Sequence, residues 1–173
     1  LAVHVAHRLR PRFPDGQLYV NLEGAGPAPR DPAEVLGEFL HALKSAPTAA
    51  PQGLGARAAA FRAAIADRQM LIVIDDAADA DQVAPLLPGT PGAAVLVTSR
   101  RTLPELPGVH EHRLRPFSVE EGVTLLSQIV DGRRLSDERR VAEEIVDLCG
   151  RLPLAVRIVG ARLQPQPGMR LST

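Results

Sequence analysis

Residues 69–76 read Gln-Met-Leu-Ile-Val-Ile-Asp-Asp, and this stretch constrains the fold more than any other. Five apolar residues, Met70 to Ile74, follow one another without a polar interruption and stop at two adjacent carboxylates. A run of this kind, rich in β-branched residues, predicts a strand buried on both faces, as in a parallel sheet covered by helices. Asp75 and Asp76 then fall at its carboxyl end, the edge of open α/β sheets where ligands bind. On the motif alone, it is an equally good reading that Asp76 or its neighbours simply cap the following helix.

A second apolar run, Ala93-Ala94-Val95-Leu96-Val97-Thr98, has the same character and ends in Ser99-Arg100-Arg101. Gln17 to Leu22 alternates apolar and polar residues and predicts a strand with one less buried face. Between and before these lie helical segments. Leu1, Val5 and Leu9 recur at i, i+4 and i+8 with Ala2 and Ala6 beside them, and Pro11 closes that helix. Asp31 is placed to cap a helix that Pro32 opens and that runs to about Lys44. Pro47 to Gly55 reads as a linker inside the domain, followed by a helix over about Leu54 to Asp67. Asp79 to Leu87 predicts a short helix, and Glu111 to Leu114 a short polar strand. From there on only helices are expected. Ser118 and Glu121 form a capping box for a helix over about Val119 to Val130. Asp137 to Cys149 is the next helix, with Gly150 as its terminator, and Pro153 opens the last, to about Leu163. Gln164 to Thr173 reads as a frayed terminus. The fold class is therefore α/β over residues 1–116, followed by a small helical unit over 117–173.

Composition narrows the functions. Hydrophobic residues make up 45% of the 173 and aromatic ones 3%, so the core is aliphatic. Twenty basic residues against twenty acidic ones argue against a dedicated nucleic-acid surface. Cys149 is the single cysteine, which removes disulfide frameworks and cysteine metal sites. No apolar run approaches the ~18 residues of a membrane span, and no signal peptide is visible; the expected location is cytoplasmic. His110 and His112, at i and i+2, would share one face of a strand but have no third ligand nearby. Cys149 reads as a small buried apolar residue, and the pairs Arg133-Arg134 and Arg139-Arg140 as solvated charges.

Three motifs stand in order: Leu71–Asp76, Val95-Leu96-Val97-Thr98-Ser99-Arg100, and Gly150-Arg151-Leu152-Pro153-Leu154-Ala155. The first resembles a Walker B strand, the second the sensor strand of signalling NTPases, and the third the Gly-x-Leu-Pro-Leu-Ala motif of NB-ARC proteins. Together they resemble an NB-ARC module, the nucleotide switch of STAND-class ATPases. Phe13-Pro14-Asp15-Gly16-Gln17-Leu18-Tyr19-Val20-Asn21-Leu22, Cys149-Gly150 and Gly160-Ala161-Arg162-Leu163 are phrased as in bacterial transcriptional activators of the antibiotic-regulatory-protein (SARP) type. The resemblance covers Leu1 to about Leu163.

It implies a P-loop NTPase-type core that binds ADP or ATP with Mg²⁺. Asp75 would be a Mg²⁺-site carboxylate and Asp76 the catalytic residue that orients the attacking water. Arg100 would sense the γ-phosphate, and Pro153 would pack on the adenine. Thr98 and Ser99 would stabilise the strand end. The family's Gly-x-x-x-x-Gly-Lys-Thr loop is expected just before Leu1. No substitute occurs in the sequence, since Lys44-Ser45 is the only Lys-Ser/Thr pair and Glu38 and Leu43 occupy its glycine positions. The chain therefore reads as a fragment beginning after that loop, weak or inactive in nucleotide binding alone, from a parent that is a slow ATPase. Its partners would be an adenine nucleotide, other domains of its parent and, on activation, further copies of itself, without direct nucleic-acid or membrane contact. The alternative is a non-catalytic interaction scaffold on a degenerate NTPase fold. A plain metal-dependent hydrolase using Asp75 and Asp76 lacks the further ligands it needs.

The resemblance also makes a prediction about the sheet. The strand bearing the phosphate loop would lie between Val95–Thr98 and Glu111–Leu114. Without it, Gln17–Leu22, Met70–Ile74 and Val95–Thr98 should form a parallel sheet in that order. Glu111–Leu114 would then stand apart across a slot of roughly 9–10 Å, leaving an open edge prone to self-association.

Overall fold

The computed structural model describes residues 1–44, 51–130 and 138–163, and the chain divides into two compact units, Leu1–Glu111 and His112–Thr173. Expectations for the Pro47–Gly55 linker, for Arg133-Arg134 and for the terminus from Gln164 fall wholly or partly outside the described residues.

The first unit is built on a three-stranded parallel sheet in the order β1 (Gln17–Asn21), β2 (Leu71–Ala77), β3 (Ala94–Ser99). Tyr19 lies opposite Val73, and Val73 opposite Leu96. The parallel sense is the one the apolar runs imply, and the order is the one the family resemblance implies. The central strand is buried on both faces, Leu71 to Ile74 having at most 2% exposure. Parallel strands need a crossover connection and so bring helices to both faces of the sheet.

On one face, helix α1 (Ala2–Leu9) lies against Leu71 and Val73. The residues it buries are Ala2 and Ala6, whereas Leu1 is 76% exposed. The apolar face expected from the sequence is the one turned to the sheet, with Leu9 packed beside the two alanines, whose methyl side chains let the helix backbone approach closely. Gln17 Nε2 donates to the Ala6 carbonyl across that contact at 2.7 Å. The helix ends in a 3₁₀ turn, Arg10–Arg12, that contains Pro11. Asp15 then joins the starts of two strands, its carboxylate accepting from Gln69 N–H at 2.7 Å.

The other face carries α2 (Pro32–Ala42), α3 (Leu54–Ile65) and the single-turn α4 (Ala80–Val83), which continues as a 3₁₀ turn, Ala84–Leu86. Asp31 caps α2 through Ala33 N–H at 2.8 Å, with Pro32 in the first turn. Ile72 and Ile74 pack into a cluster with Val35, Leu36, Phe39 and Phe61. The Phe39 and Phe61 rings are tilted at 5.5 Å between centroids, a favourable aromatic arrangement.

Two expectations need correction here. The central strand does not stop at Ile74 but runs on to Ala77, with an irregularity in its pairing to β3 between Ile74 and Ala77. Glu111–Leu114 forms no strand. Residues 107–116 are exposed without regular hydrogen-bonded structure, and the boundary between the two units falls among them. A charged segment with one apolar side chain, Leu114, has no buried face to hold it in a ladder. The same irregularity removes the shared strand face proposed for His110 and His112. Among the described residues β3 pairs only with β2.

The second unit contains α5 (Val119–Ser127), α6 (Arg139–Leu148) and α7 (Pro153–Leu163). The capping box at Ser118 and Glu121 is formed in both directions. The α5 helix ends at Ser127, short of Val130, and the chain continues in turns. Gly150 has φ 61° and follows α6. Its N–H reaches Asp147 O, while Arg151 N–H reaches Val146 O, a Schellman closure that satisfies two terminal carbonyls. The core is small: Leu126, Val130, Ala142, Val146 and Val156. Gly122 allows α5 and α6 to touch, because a Cβ there would come within 2.3 Å of Val146.

Candidate functional site at the carboxyl edge of the sheet

Asp75 and Asp76 occupy the irregularity of β2. Asp76 has φ 51°, a left-handed conformation that Asp tolerates better than most residues. Bulges of this kind re-aim side chains at the end of a ladder. The Asp75 carboxylate, half-buried, accepts on both oxygens. Thr98 Oγ1 donates to Oδ1, and Tyr19 OH donates to Oδ2 at 3.2 Å. Thr98 Oγ1 also accepts from Asp76 N–H at 2.9 Å. One hydroxyl of β3 thus fixes the rotation of both Asp75 and the Asp76 peptide. Partial desolvation first, and then the hydrogen bond and charge of Asp75, hold the Tyr19 phenol above its ordinary pKa.

Asp76 faces the loop after β1. Its Oδ2 accepts from Ala25 N–H at 3.1 Å, and its carbonyl accepts from Gly24 N–H at 2.7 Å. A side chain at Gly24 would place a Cβ within 2.2 Å of Ala78 N, so only glycine permits this approach. Asp76 Oδ1 stands 3.8 Å from Arg100 Nε, and the Arg100 side chain is 83% exposed. Next to it, Ser99 Oγ donates to Ala77 O at 2.8 Å and accepts from Arg101 N–H at 3.0 Å.

Asp75, Asp76, Thr98 and Arg100 therefore share one edge of the sheet, Thr98 touching both Asp75 and the Asp76 peptide and Arg100 lying beside Asp76. Pro153 lies in the second unit, exposed, in the first turn of α7. Cys149, at the end of α6, is partly buried, and desolvation raises its thiol pKa.

Two residues with a part in the site were not singled out from the sequence. Tyr19 is one. Gln82 is the other, a polar side chain with only 6% exposure. Its Nε2 donates to Leu22 O at 3.0 Å and to Arg30 O at 2.9 Å, the two ends of the loop that carries Gly24 and Ala25. Its Oε1 accepts from Ala78 N–H at 2.9 Å. Every polar atom of this buried amide is satisfied, so it staples the loop to the end of β2. The available signal was a lone amide three residues after Asp79, directly before the apolar run Val83 to Leu87.

Among the described residues no three His, Cys, Asp or Glu side chains converge on one point. An all-protein metal cage therefore has no ligand set there. Mg²⁺ asks for less, because it keeps several waters and takes one or two carboxylates together with substrate phosphates. The Asp75 carboxylate fits that role: each oxygen has two lone-pair directions, and the two hydroxyls use one on each.

No helix among the described residues is long and apolar enough to cross a membrane. No protein-family model matches the chain. Two curated relatives are each named Regulatory protein AfsR. The chain is 50% identical to the one from Streptomyces coelicolor over 163 residues, which is 94% of the chain and 16% of that relative. It is 51% identical to the one from Streptomyces griseus over 163 residues, 94% of the chain and 17% of that relative. The chain spans about one sixth of the length of the relatives it matches, and at this identity it is homologous to a segment of these regulatory proteins.

Proposed function

We propose that the chain is part of an adenine-nucleotide switch, of the NB-ARC type, in a bacterial transcriptional regulator. The observation that carries this reading is the junction at the carboxyl edge of β2 and β3. A half-buried carboxylate, a threonine hydroxyl that orients it and an exposed guanidinium meet where parallel sheets bind ligands. Homology to a segment of two regulatory proteins supports the regulatory part of the reading.

In this reading Asp75 holds the Mg²⁺ that accompanies ATP, and the ion supplies charge neutralisation to the phosphates. Arg100 answers to the γ-phosphate, for which an exposed, unburied guanidinium has the necessary reach. Asp76 orients water, but its carboxylate also accepts from Ala25 N–H and lies beside Arg100. A carboxylate tied in this way is better suited to holding a state than to rapid turnover, so hydrolysis is slow. Pro153, by the Gly-x-Leu-Pro-Leu-Ala motif it belongs to, is the residue that would pack on the adenine. The partners are the other domains of the parent chain and, in the ATP state, further copies of it.

The test uses the full-length protein that carries this chain. Calorimetry should give micromolar or tighter binding of ADP and of Mg²⁺-ATP, about −8 kcal/mol or better. Light scattering should show a larger assembly with Mg²⁺-ATP than with ADP. Absence of any nucleotide binding would reject the switch and leave the non-catalytic scaffold as the better account.

A further inference from the structure

Tyr19 stands out because its polar atom is engaged where stability does not require it. It belongs to β1, opposite Val73, whereas Asp75 lies opposite Asn21. The phenol therefore reaches diagonally along the ladder by two positions, within the range of a long side chain on the same face. The residue is 52% exposed, and its hydroxyl nevertheless lies 3.2 Å from Asp75 Oδ2. An exposed hydrogen bond of this kind adds little to folding, since water replaces either partner at small cost. Its geometric effect is larger. With Thr98 on Oδ1 and Tyr19 on Oδ2, donors from both neighbouring strands hold the central carboxylate, and its plane is fixed about the Cβ–Cγ bond.

We propose that Tyr19 is a positioning residue for the metal–nucleotide site, holding the Asp75 carboxylate in the orientation that receives Mg²⁺. The proposal rests on the reading of Asp75 as the metal carboxylate. Partners that hydrogen-bond a metal-ligating carboxylate set its direction and basicity, and their removal typically weakens metal binding about 10- to 100-fold. Two donors leave one lone-pair direction free on each oxygen. The carboxylate is thus oriented without being used up. The two donors differ in kind. Thr98 also anchors the Asp76 peptide, so its loss disturbs backbone, whereas Tyr19 touches only the carboxylate by its hydroxyl.

That difference makes Tyr19→Phe a clean probe, removing one exposed oxygen. In the full-length protein, ATP binding is followed by calorimetry as Mg²⁺ is titrated, for wild type, Tyr19→Phe and Asp75→Asn. Metal-free ADP binding and the melting temperature are measured alongside. The expected result for Tyr19→Phe is a half-saturating Mg²⁺ concentration raised about tenfold, with metal-free ADP affinity and melting temperature unchanged. Asp75→Asn should raise it further. If Tyr19→Phe titrates as wild type while Asp75→Asn does not, the role of Tyr19 is overturned and the metal site stands. If both variants titrate as wild type, or if the wild-type protein binds no nucleotide, the metal-site reading falls and the proposal with it. Equal loss of both ligands together with a lower melting temperature would make Tyr19 merely structural and overturn the proposal.

Discussion

The two units of this chain reach order by different means. In the first, one strand supplies the framework: β2 is buried on both faces, and its neighbours and helices are arranged around it. In the second, no strand exists among the described residues, and three short helices meet through small residues and local caps. The contrast extends to chemistry. The polar residues of the first unit are cross-connected through tertiary hydrogen bonds, Tyr19 to Asp75 and Thr98 to Asp75 and Asp76. In the second, the pairs Arg139–Glu143, Arg140–Glu144 and Arg151–Asp147 each link residues four apart along the chain. Such exposed pairs are worth little. An organised polar site is thus a property of the sheet edge, and the helical unit offers surface.

Substitutions should separate the two regimes. The largest effect belongs to the framework: Ile74→Ala should destabilise the first unit by about 2–5 kcal/mol through lost burial and a cavity, measured by chemical denaturation. Gly122→Ala comes next, since its methyl meets Val146; overpacking of about 1–3 kcal/mol is expected. It should broaden or lower the melting of the second unit and leave the sheet's amide protection intact. If Gly122→Ala exposed β2 amides to exchange as well, the two units would not be independent in stability.

Smaller effects sharpen the contrast at the level of single groups. Asp75→Asn removes the negative charge beside Tyr19, so the phenol should titrate at lower pH than in wild type, followed by phenolate absorbance. The part of the rise that comes from desolvation should remain. An unchanged titration would mean that the two side chains do not meet in solution. In the helical unit, burial alone raises the Cys149 thiol. Less thiolate is then present at neutral pH, and alkylation should run slower than for an exposed cysteine.

Where local chemistry decides an element, the sequence was enough. Asp31 with Pro32, Ser118 with Glu121, and Gly150 before Pro153 each mark a helix end by hydrogen bonds within a few residues, and each is found as expected. The apolar run around Ile72 was legible for a similar reason, because a strand buried on both faces needs no periodicity; the run around Leu96 forms the expected strand but is only partly buried along its length. The α1 face was legible from its periodicity, since Ala2, Ala6 and Leu9 all meet the sheet cluster; the exposure of Leu1 on that same face was not. Glu111–Leu114 was misread because a four-residue pattern says nothing about whether a neighbouring strand exists. At the site, the shared edge of Asp75 and Arg100 followed from two runs that end in polar residues. Tyr19 and Gln82 were missed because their partners lie 56 and 60 residues away. Only the folded register brings them together.

The central claim is that the carboxyl edge of β2 and β3 is built for a metal–nucleotide complex, with Asp75 acting through the metal. The most direct test is calorimetry of Asp75→Ala in the full-length protein with two ligands, Mg²⁺-ATP and metal-free ADP. The account predicts that Mg²⁺-ATP binding weakens by about tenfold or more while metal-free ADP binding is retained. Equal weakening of both ligands, or no change in either, would contradict it.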